Sequence, residues 1–509
     1  MEKKIFIALA LFATALLFII SPDSYTHDLY GRCDSAWFFM CGKAWMEGLT
    51  PYVDFADSKG PLLWLIYGIG YLISPHNYIG VFWLSCLWYA VIFYITYLIA
   101  KIFLSGHCLP LTCAILMALA FFNPMFHYET RAEDWSMLFL TASMYLTCKT
   151  LYTNDIDRKH SNATFFLLGS CFASLVLIKY NIAAMQTIFI LFAIFHTIRC
   201  HDTLLPPLLL LLAGMAVVSV PFIVYLLHRG CYDAFIQEYF KNTLYTTGQP
   251  SNFLTTYIYE WRKVFTNHHQ FVLLFIILLG GIISFFHLKR YRLFPAISML
   301  FIFAITLRHA FWDYYFNICA TCYIWALLLL IQPFHVPHRL RKAIPLALSA
   351  LVILTLTTKH LHVDLQNQQL MFWENGEKRQ EFYTTEYLIS QVHNPTIINA
   401  LANERGRGIL SSALPGGKYW SYQHGSTKSM HEKHVQDILS QKADFIWYDP
   451  INTKSTDARI NEKNIQAAGY RYCYNHHLYS KIRLKDPPTP IHVTNWEVLT
   501  KQIPKALKR

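Results

Sequence analysis

Eleven apolar runs, separated by polar connections, constrain this 509-residue chain more than any other feature. They fall at 5–20, 79–102, 109–123, 135–151, 163–178, 182–198, 204–228, 270–288, 293–307, 312–332 and 343–358. A bilayer core of about 30 Å asks for roughly 20 apolar residues per crossing helix. Within it the backbone must satisfy itself, which leaves helices or closed barrels. Runs shorter than that length imply tilt or a thin bilayer. The expectation is an α-helical polytopic membrane protein, with a smaller soluble part. Only 15% of residues are charged, against about 25% in soluble domains. From Lys359 to Arg509 the mixture becomes an ordinary soluble one. The expected domains are therefore a transmembrane domain at 1–358 and a soluble α/β domain at 359–509.

Charge placement predicts an orientation. Met1-Glu-Lys-Lys precedes the first run, and Ser21-Pro-Asp is a poor cleavage site, so the run reads as an uncleaved first helix with Lys3 and Lys4 inside. Alternate loops then contain Lys101; Arg158 and Lys159; Arg199; Lys289, Arg290 and Arg292; and Arg339, Arg341 and Lys342. Short basic loops belong on the cytoplasmic side. The opposite loops are acidic or mixed: Asp28, Asp34 and Asp54; Glu129, Arg131, Glu133 and Asp134; Arg308 and Asp313. Those loops and the C-terminal domain are expected to face outward. The sequon Asn162-Ala-Thr164 falls on the inner side and reads as chance. The net charge of +12 describes topology and contact with anionic lipid rather than nucleic acid, since no basic arm with interleaved aromatics accompanies it.

Most of the twelve cysteines lie in apolar runs and behave as small hydrophobes. Cys319-Ala-Thr-Cys322 has metal or redox spacing but no second ligand pair. A divalent metal is conceivable and unsupported; no cofactor is indicated. A disulfide between Cys33 and Cys41 is conceivable on an oxidising side.

One outer loop stands apart. It runs from Tyr30-Gly-Arg-Cys-Asp34 through Thr50-Pro-Tyr-Val-Asp54 to Asp57-Ser-Lys59-Gly-Pro61. Ionisable groups against a bilayer are costly and commonly functional. Trp37, Phe38, Met40 and Trp45 are expected to lie on the membrane, and Pro61 to Ser74 to form an interfacial or re-entrant helix. Gathering the outer loops adds Glu133 and Asp134, Lys179 in the short connection Lys179-Tyr-Asn181, and Arg308, Asp313, Tyr314 and Tyr315. A cation holds phosphate and a carboxylate takes a proton from an attacking hydroxyl. Plainer readings stay open. Glu133 and Asp134 suit a helix N-terminus, Asp54 and Asp57 suit turns after Pro51, and Arg131, Lys179 and Arg308 suit lipid headgroups.

The string Asp34-Ser-Ala-Trp-Phe-Phe-Met-Cys-Gly-Lys-Ala-Trp-Met-Glu-Gly48-Leu-Thr-Pro51-Tyr52-Val-Asp54, followed by Lys59-Gly-Pro61-Leu62, resembles the first loop of GT-C glycosyltransferases. It is similar in particular to the RgtA/B/C/D-like branch, with more distant kin in protein O-mannosyltransferases and lipid A aminoarabinose transferases. The resemblance implies a glycosyltransferase, hexosyl or pentosyl, in a bacterial inner membrane, with its N-terminus cytoplasmic and its C-terminal domain periplasmic. Its partners would be a polyprenyl-phosphate-linked sugar donor and a glycan or glycolipid acceptor, joined with inversion. Asp34 then falls at the base and Lys59 at the carrier phosphate, with Arg308 and Lys179 as helpers. Asp54, Asp57, Glu133, Asp134, Tyr314 and Tyr315 fall on the acceptor or substrate. Two departures, Ser35 after the first acid and Gly60 after Lys59, leave sugar and acceptor unnamed. Alternatives are a lipid-linked oligosaccharide polymerase or ligase, a polysaccharide or lipid transporter, and an envelope scaffold. The tail adds a strand-like Ala443–Asp449, a hairpin over Gly469–Tyr474 and His477–Arg483, and helices near Thr384–Val392 and His431–Lys442.

Overall fold

A computed structural model describes residues 2–21, 23–24, 33–104, 109–121, 126, 130–153, 158–200, 203–242, 253–307, 313–331, 376–400, 408, 411–421, 427–448, 457–474 and 477–484. In chain order the helices are α1 (Glu2–Ile20), α2 (Cys33–Met46), α3 (Pro61–Ile73), α4 (Ile79–Phe103), α5 (Leu109–Phe121), α6 (Ala132–Tyr152), α7 (Arg158–Cys200), α8 (Leu205–His228) and α9 (Tyr232–Phe235). A π-helical turn, Ile236–Asn242, follows α9, and then come α10 (Phe253–Thr266), α11 (His268–His287), α12 (Phe294–Leu307), a 3-10 turn Asp313–Cys319 and α13 (Ala320–Ile331). The C-terminal part contains α14 (Gly376–Ser390), β1 (Thr396–Asn399), β2 (Leu414–Pro415), α15 (Lys428–Leu439), β3 (Phe445–Trp447), α16 (Glu462–Ala467), β4 (Arg471–Tyr474) and β5 (Leu478–Ser480). The chain forms two compact units: Met1–Ile20, Ser85–Ile223 and Pro250–Val363 in the first; Ser21–Leu84, Val224–Gln249 and Asp364–Arg509 in the second. The boundary expected near 359 lies outside the described residues.

The first unit is helical. Among the described residues five helices are long and apolar enough to cross a bilayer by length and composition: α1, α4, Asn162–Cys200 of α7, α8 and α11. Shorter apolar helices, Leu109–Ala120, Phe294–Leu307 and Tyr315–Ile331, lie on further expected runs; the run at 343–358 lies outside the described residues. In α7, a single non-helical residue, Lys179 (φ −159°, ψ 99°), joins the two expected spans. The chain reverses there: Gln186 Nε2 donates to the Leu168 carbonyl at 2.9 Å, and Phe165, Leu168 and Ala193 share one core. α7 and α8 cross closely, because a Cβ on Gly169 would sit 2.0 Å from the Leu211 carbonyl oxygen. Small residues permit such approaches between apolar helices.

The expected basic loops gather at one end of this unit. Phe103 at the end of α4 packs on Tyr152 at the end of α6, ring centroids 5.3 Å apart. The Tyr152 hydroxyl donates to the Tyr291 carbonyl at 3.1 Å, and the Tyr291 hydroxyl meets His196 Nδ1 at 2.7 Å. Lys101, Arg199 and the turn around Tyr291 therefore belong together. Lys101 also pairs with Glu2 at 2.7 Å. Residues 339–342 lie outside the described residues.

The second unit contains a sheet in the order β2-β1-β3-β5-β4. β1 runs parallel to β2 and β3, while β5 is antiparallel to β3 and β4. Ile398, Ile446, Val435, Ile438 and Tyr479 form its core with α15. The strand, the hairpin and both tail helices appear on the expected segments, β3 as Phe445–Trp447 and the first helix starting earlier, at Gly376 instead of Thr384. β1 was not foreseen, since Thr396–Asn399 is too short for its alternation to show.

One expectation about α2 is corrected, and one open possibility is closed. Trp37, Phe38 and Met40 are buried inside the protein rather than laid on lipid. The helix is covered by α3 on one side and by the C-terminal part on another. Gly42 packs so closely on α3 that a Cβ there would lie 2.5 Å from Gly68 N, and the Trp37 and Trp420 rings lie 5.3 Å apart. The Cys33–Cys41 disulfide is also excluded. Both residues lie in α2, where eight residues of rise separate their Cα atoms by about 12 Å, beyond the roughly 7 Å a bridge tolerates. Cys41 is a free thiol.

Candidate active site

The first loop is built around a buried tyrosine. After α2 the chain turns through Gly48 (φ +91°), and Tyr52 follows at φ +65°. A left-handed backbone is unfavourable for a bulky residue and persists only where the surroundings over-determine it. Here they do. The Tyr52 ring lies 4.6 Å from Trp64 and 5.2 Å from Phe235, and its hydroxyl donates to the Lys59 carbonyl at 2.9 Å. Pro51-Tyr52 is thus the strut that fixes the backbone of Lys59.

Around this strut the predicted residues separate by role. Asp54 Oδ2 accepts from Thr50 N at 2.7 Å and closes the turn. Asp57 is buried, and its Oδ1 accepts from Ser58 N at 2.6 Å. The Lys59 amine donates to Ser58 Oγ at 3.0 Å and stands 5.9 Å from the centre of the Phe38 ring. Asp34 lies in the first turn of α2, half-buried. Phe38 is one turn further on, and residues four apart share a helix face. Lys59 therefore stands over the face of α2 that begins with Asp34. Pro61 opens α3 at its first position, where a missing N–H costs nothing.

The C-terminal part supports this loop at several points that the sequence did not announce. Ala56 N donates to the Lys418 carbonyl at 2.9 Å. Lys43, fully buried in α2, donates to the carbonyls of Gly408 and Ser411 at 3.1 and 2.6 Å. Glu386 of α14 accepts from the amides of the same two residues, at 2.5 and 3.0 Å. Burial lowers the Lys43 ammonium to about 8, although the Glu386 and Glu47 charges pull it up. The one sequence signal was a lysine in the middle of an apolar helix.

The other predicted residues lie in the first unit, at the end opposite its basic turns. Glu133 and Asp134 are buried at the start of α6, and Glu133 forms a buried ion pair with Lys179. The Lys179 amine also lies 4.2 Å from the centre of the Tyr315 ring. Asp134 caps α6 through the Arg131 amide at 2.8 Å and also meets Tyr89 Oη and Asn317 Nδ2, each at 3.3 Å. Glu133, Asp134, Lys179 and Tyr315 thus converge. Arg308 and Glu129 lie outside the described residues, as does the side chain of Tyr314. Among the described residues no three His, Cys, Asp or Glu side chains form a metal-binding group.

No protein-family model and no curated protein matches the chain. Solved structures do. ArnT from Cupriavidus metallidurans in the apo state is 11% identical, with 88% of this chain and 92% of that one covered, at a TM-score of 0.54. The same enzyme bound to undecaprenyl phosphate is 13% identical, with 81% and 84% covered, at 0.50. Oligosaccharyltransferase AglB from Archaeoglobus fulgidus, in complex with an inhibitory peptide and a dolichol-phosphate, is 11% identical, with 95% and 74% covered, at 0.50. At such identities the likeness establishes the fold alone: the polytopic helical architecture of ArnT and AglB, with a small sheet in the C-terminal part, as the first-loop resemblance implied.

Proposed function

We propose that the chain is an integral membrane glycosyltransferase that moves a sugar from a polyprenyl phosphate to an acceptor outside the cytoplasm. The observation that carries this reading is Lys59 standing over the α2 face that begins with Asp34, in a chain folded like a protein seen with undecaprenyl phosphate. Asp34 accepts the proton of the acceptor hydroxyl as that oxygen attacks the anomeric carbon. The bond from that carbon to the phosphate oxygen breaks, the configuration inverts, and Lys59 stabilises the departing phosphate. Asp57 orders the turn before Lys59, and Asp54 the turn before that. Lys179 acts on phosphate only by exchanging Glu133 for it, so in this reading Lys59 carries the larger share and Arg308 remains a second helper. Glu133, Asp134, Tyr314 and Tyr315 retain the acceptor-side role.

The same reading sets the protein in a bacterial inner membrane, with the basic end of its helices cytoplasmic and the C-terminal α/β part periplasmic. Mass spectrometry of envelope glycolipids and glycans from a deletion strain tests it and would name donor and acceptor together. A single lost sugar mass supports it. Loss of a whole oligosaccharide block favours the ligase alternative, and an unchanged glycan profile removes transfer altogether.

A further inference from the structure

Helix α9 and the π-helical turn after it hold a buried carboxylate that the mechanism does not use. Glu238 is 5% exposed. Its Oε1 accepts from Tyr419 Oη at 2.7 Å and pairs with Lys418 Nζ at 2.6 Å, while its Oε2 accepts from Asn242 Nδ2 at 2.9 Å. Burying a carboxylate is expensive unless its oxygens are satisfied, and three donors from two distant parts of the chain do so here. Burial and the Glu238 bond together push the Tyr419 hydroxyl up, so it stays a donor.

This segment reaches Lys59 by two routes. Through Glu238 it holds Lys418, whose carbonyl accepts from Ala56 N at 2.9 Å, three residues before Lys59. Through Phe235, whose ring lies 5.2 Å from Tyr52, it braces the tyrosine that donates to the Lys59 carbonyl. Phe235 stacks in turn on Tyr239, centroids 5.6 Å apart. π-Helical turns often mark functional sites; here α9 sets Phe235 on Tyr52, and the turn sets Glu238 on Lys418, the residue that holds Ala56.

We propose that Glu238 is a positioning residue for Lys59: by anchoring Lys418 it fixes the Ala56–Lys59 backbone from which the phosphate-binding amine projects. The inference rests on the proposed role of Lys59 in holding the lipid phosphate. Its test is the affinity of the full-length chain, in nanodiscs, for undecaprenyl phosphate in single and double variants. Lys59→Ala should weaken binding by roughly 10- to 100-fold, the range of a hydrogen bond to a charged group. Glu238→Gln should weaken it by about 3- to 10-fold, and Lys59→Ala with Glu238→Gln should be no worse than Lys59→Ala alone, since coupled residues are not additive. Tyr52→Phe, which removes only the hydroxyl on the Lys59 carbonyl, should follow the same pattern and serves if Glu238→Gln fails to fold. Additive losses, or wild-type affinity in a folded Glu238→Gln (in Tyr52→Phe where Glu238→Gln does not fold), overturn the positioning role. If Lys59→Ala itself binds like wild type, the phosphate assignment fails first.

Discussion

Two lysine–carboxylate groupings expected from the sequence, Lys179 with Glu133 and Lys59 with Asp34, differ in how closed they are. In the first unit Lys179 and Glu133 form a buried pair, with side-chain exposures of 11% and 3%, and the Lys179 amine is further covered by the Tyr315 ring. In the second unit Lys59 leans on Ser58 and the Phe38 ring, and both Lys59 and Asp34 keep partial exposure. A desolvated ion pair must be broken before either partner can act on substrate, and breaking it is costly. Partial exposure leaves Lys59 and Asp34 within reach of solvent and substrate where they stand. The contrast is why the proposed chemistry rests on the first loop, with Glu133 and Lys179 able to reach substrate only when their pair opens.

Removing the proposed base, Asp34, tests that contrast hardest. Asp34→Asn should lower turnover by about 10²- to 10⁴-fold while leaving undecaprenyl phosphate affinity unchanged; transfer at the wild-type rate would mean that Asp34 is not the base. Next in size is the closed pair. Lys179→Met strands a buried carboxylate and should cost roughly 3–5 kcal/mol of stability, read as a fall in the thermal midpoint. The double variant Lys179→Met with Glu133→Gln should recover part of it. If Lys179→Met stays stable but loses lipid affinity as Lys59→Ala does, the pair is not closed in solution and Lys179 is a phosphate ligand. The smallest effect concerns acid stability. His434 is buried, with its Nδ1–H donating to the Tyr419 carbonyl at 2.6 Å. Burial, against that hydrogen bond, holds its pKa down at about 4 from 6.5. The unfolded chain then binds the extra proton first, so this group's contribution is complete above pH 6.5 and is lost as pH falls toward 4. Hydrogen exchange in α15 should rise over that window, and His434→Gln should flatten the rise. A midpoint equally pH-sensitive in that variant would place the titration elsewhere.

Span positions were legible because each apolar run answers to the bilayer locally, with no knowledge of its neighbours. Even the break at Lys179 shows as a polar tripeptide between two such runs. The tail hairpin showed for the same reason: alternation and a turn signal lie within a dozen residues. The candidate site was half legible. Asp34 and Lys59 stood out as charges between apolar segments, and Pro51-Tyr52 as part of a motif. That motif named no mechanical role, because the left-handed Tyr52 and its bond to the Lys59 carbonyl exist only when Trp64 and Phe235 close on the ring.

By itself, then, the sequence determined where the apolar helices lie, which connections are basic, and which acid and lysine stand in the first loop. These follow from hydropathy and charge, properties each segment carries alone. Tertiary structure alone decided that α2 is buried in protein instead of lying on lipid, and that Lys43 bonds the carbonyls of residues more than 360 positions away. It also decided that Glu238 and Lys418 meet. A contact of that separation leaves no periodicity in either partner, so only packing around a shared core brings the two together.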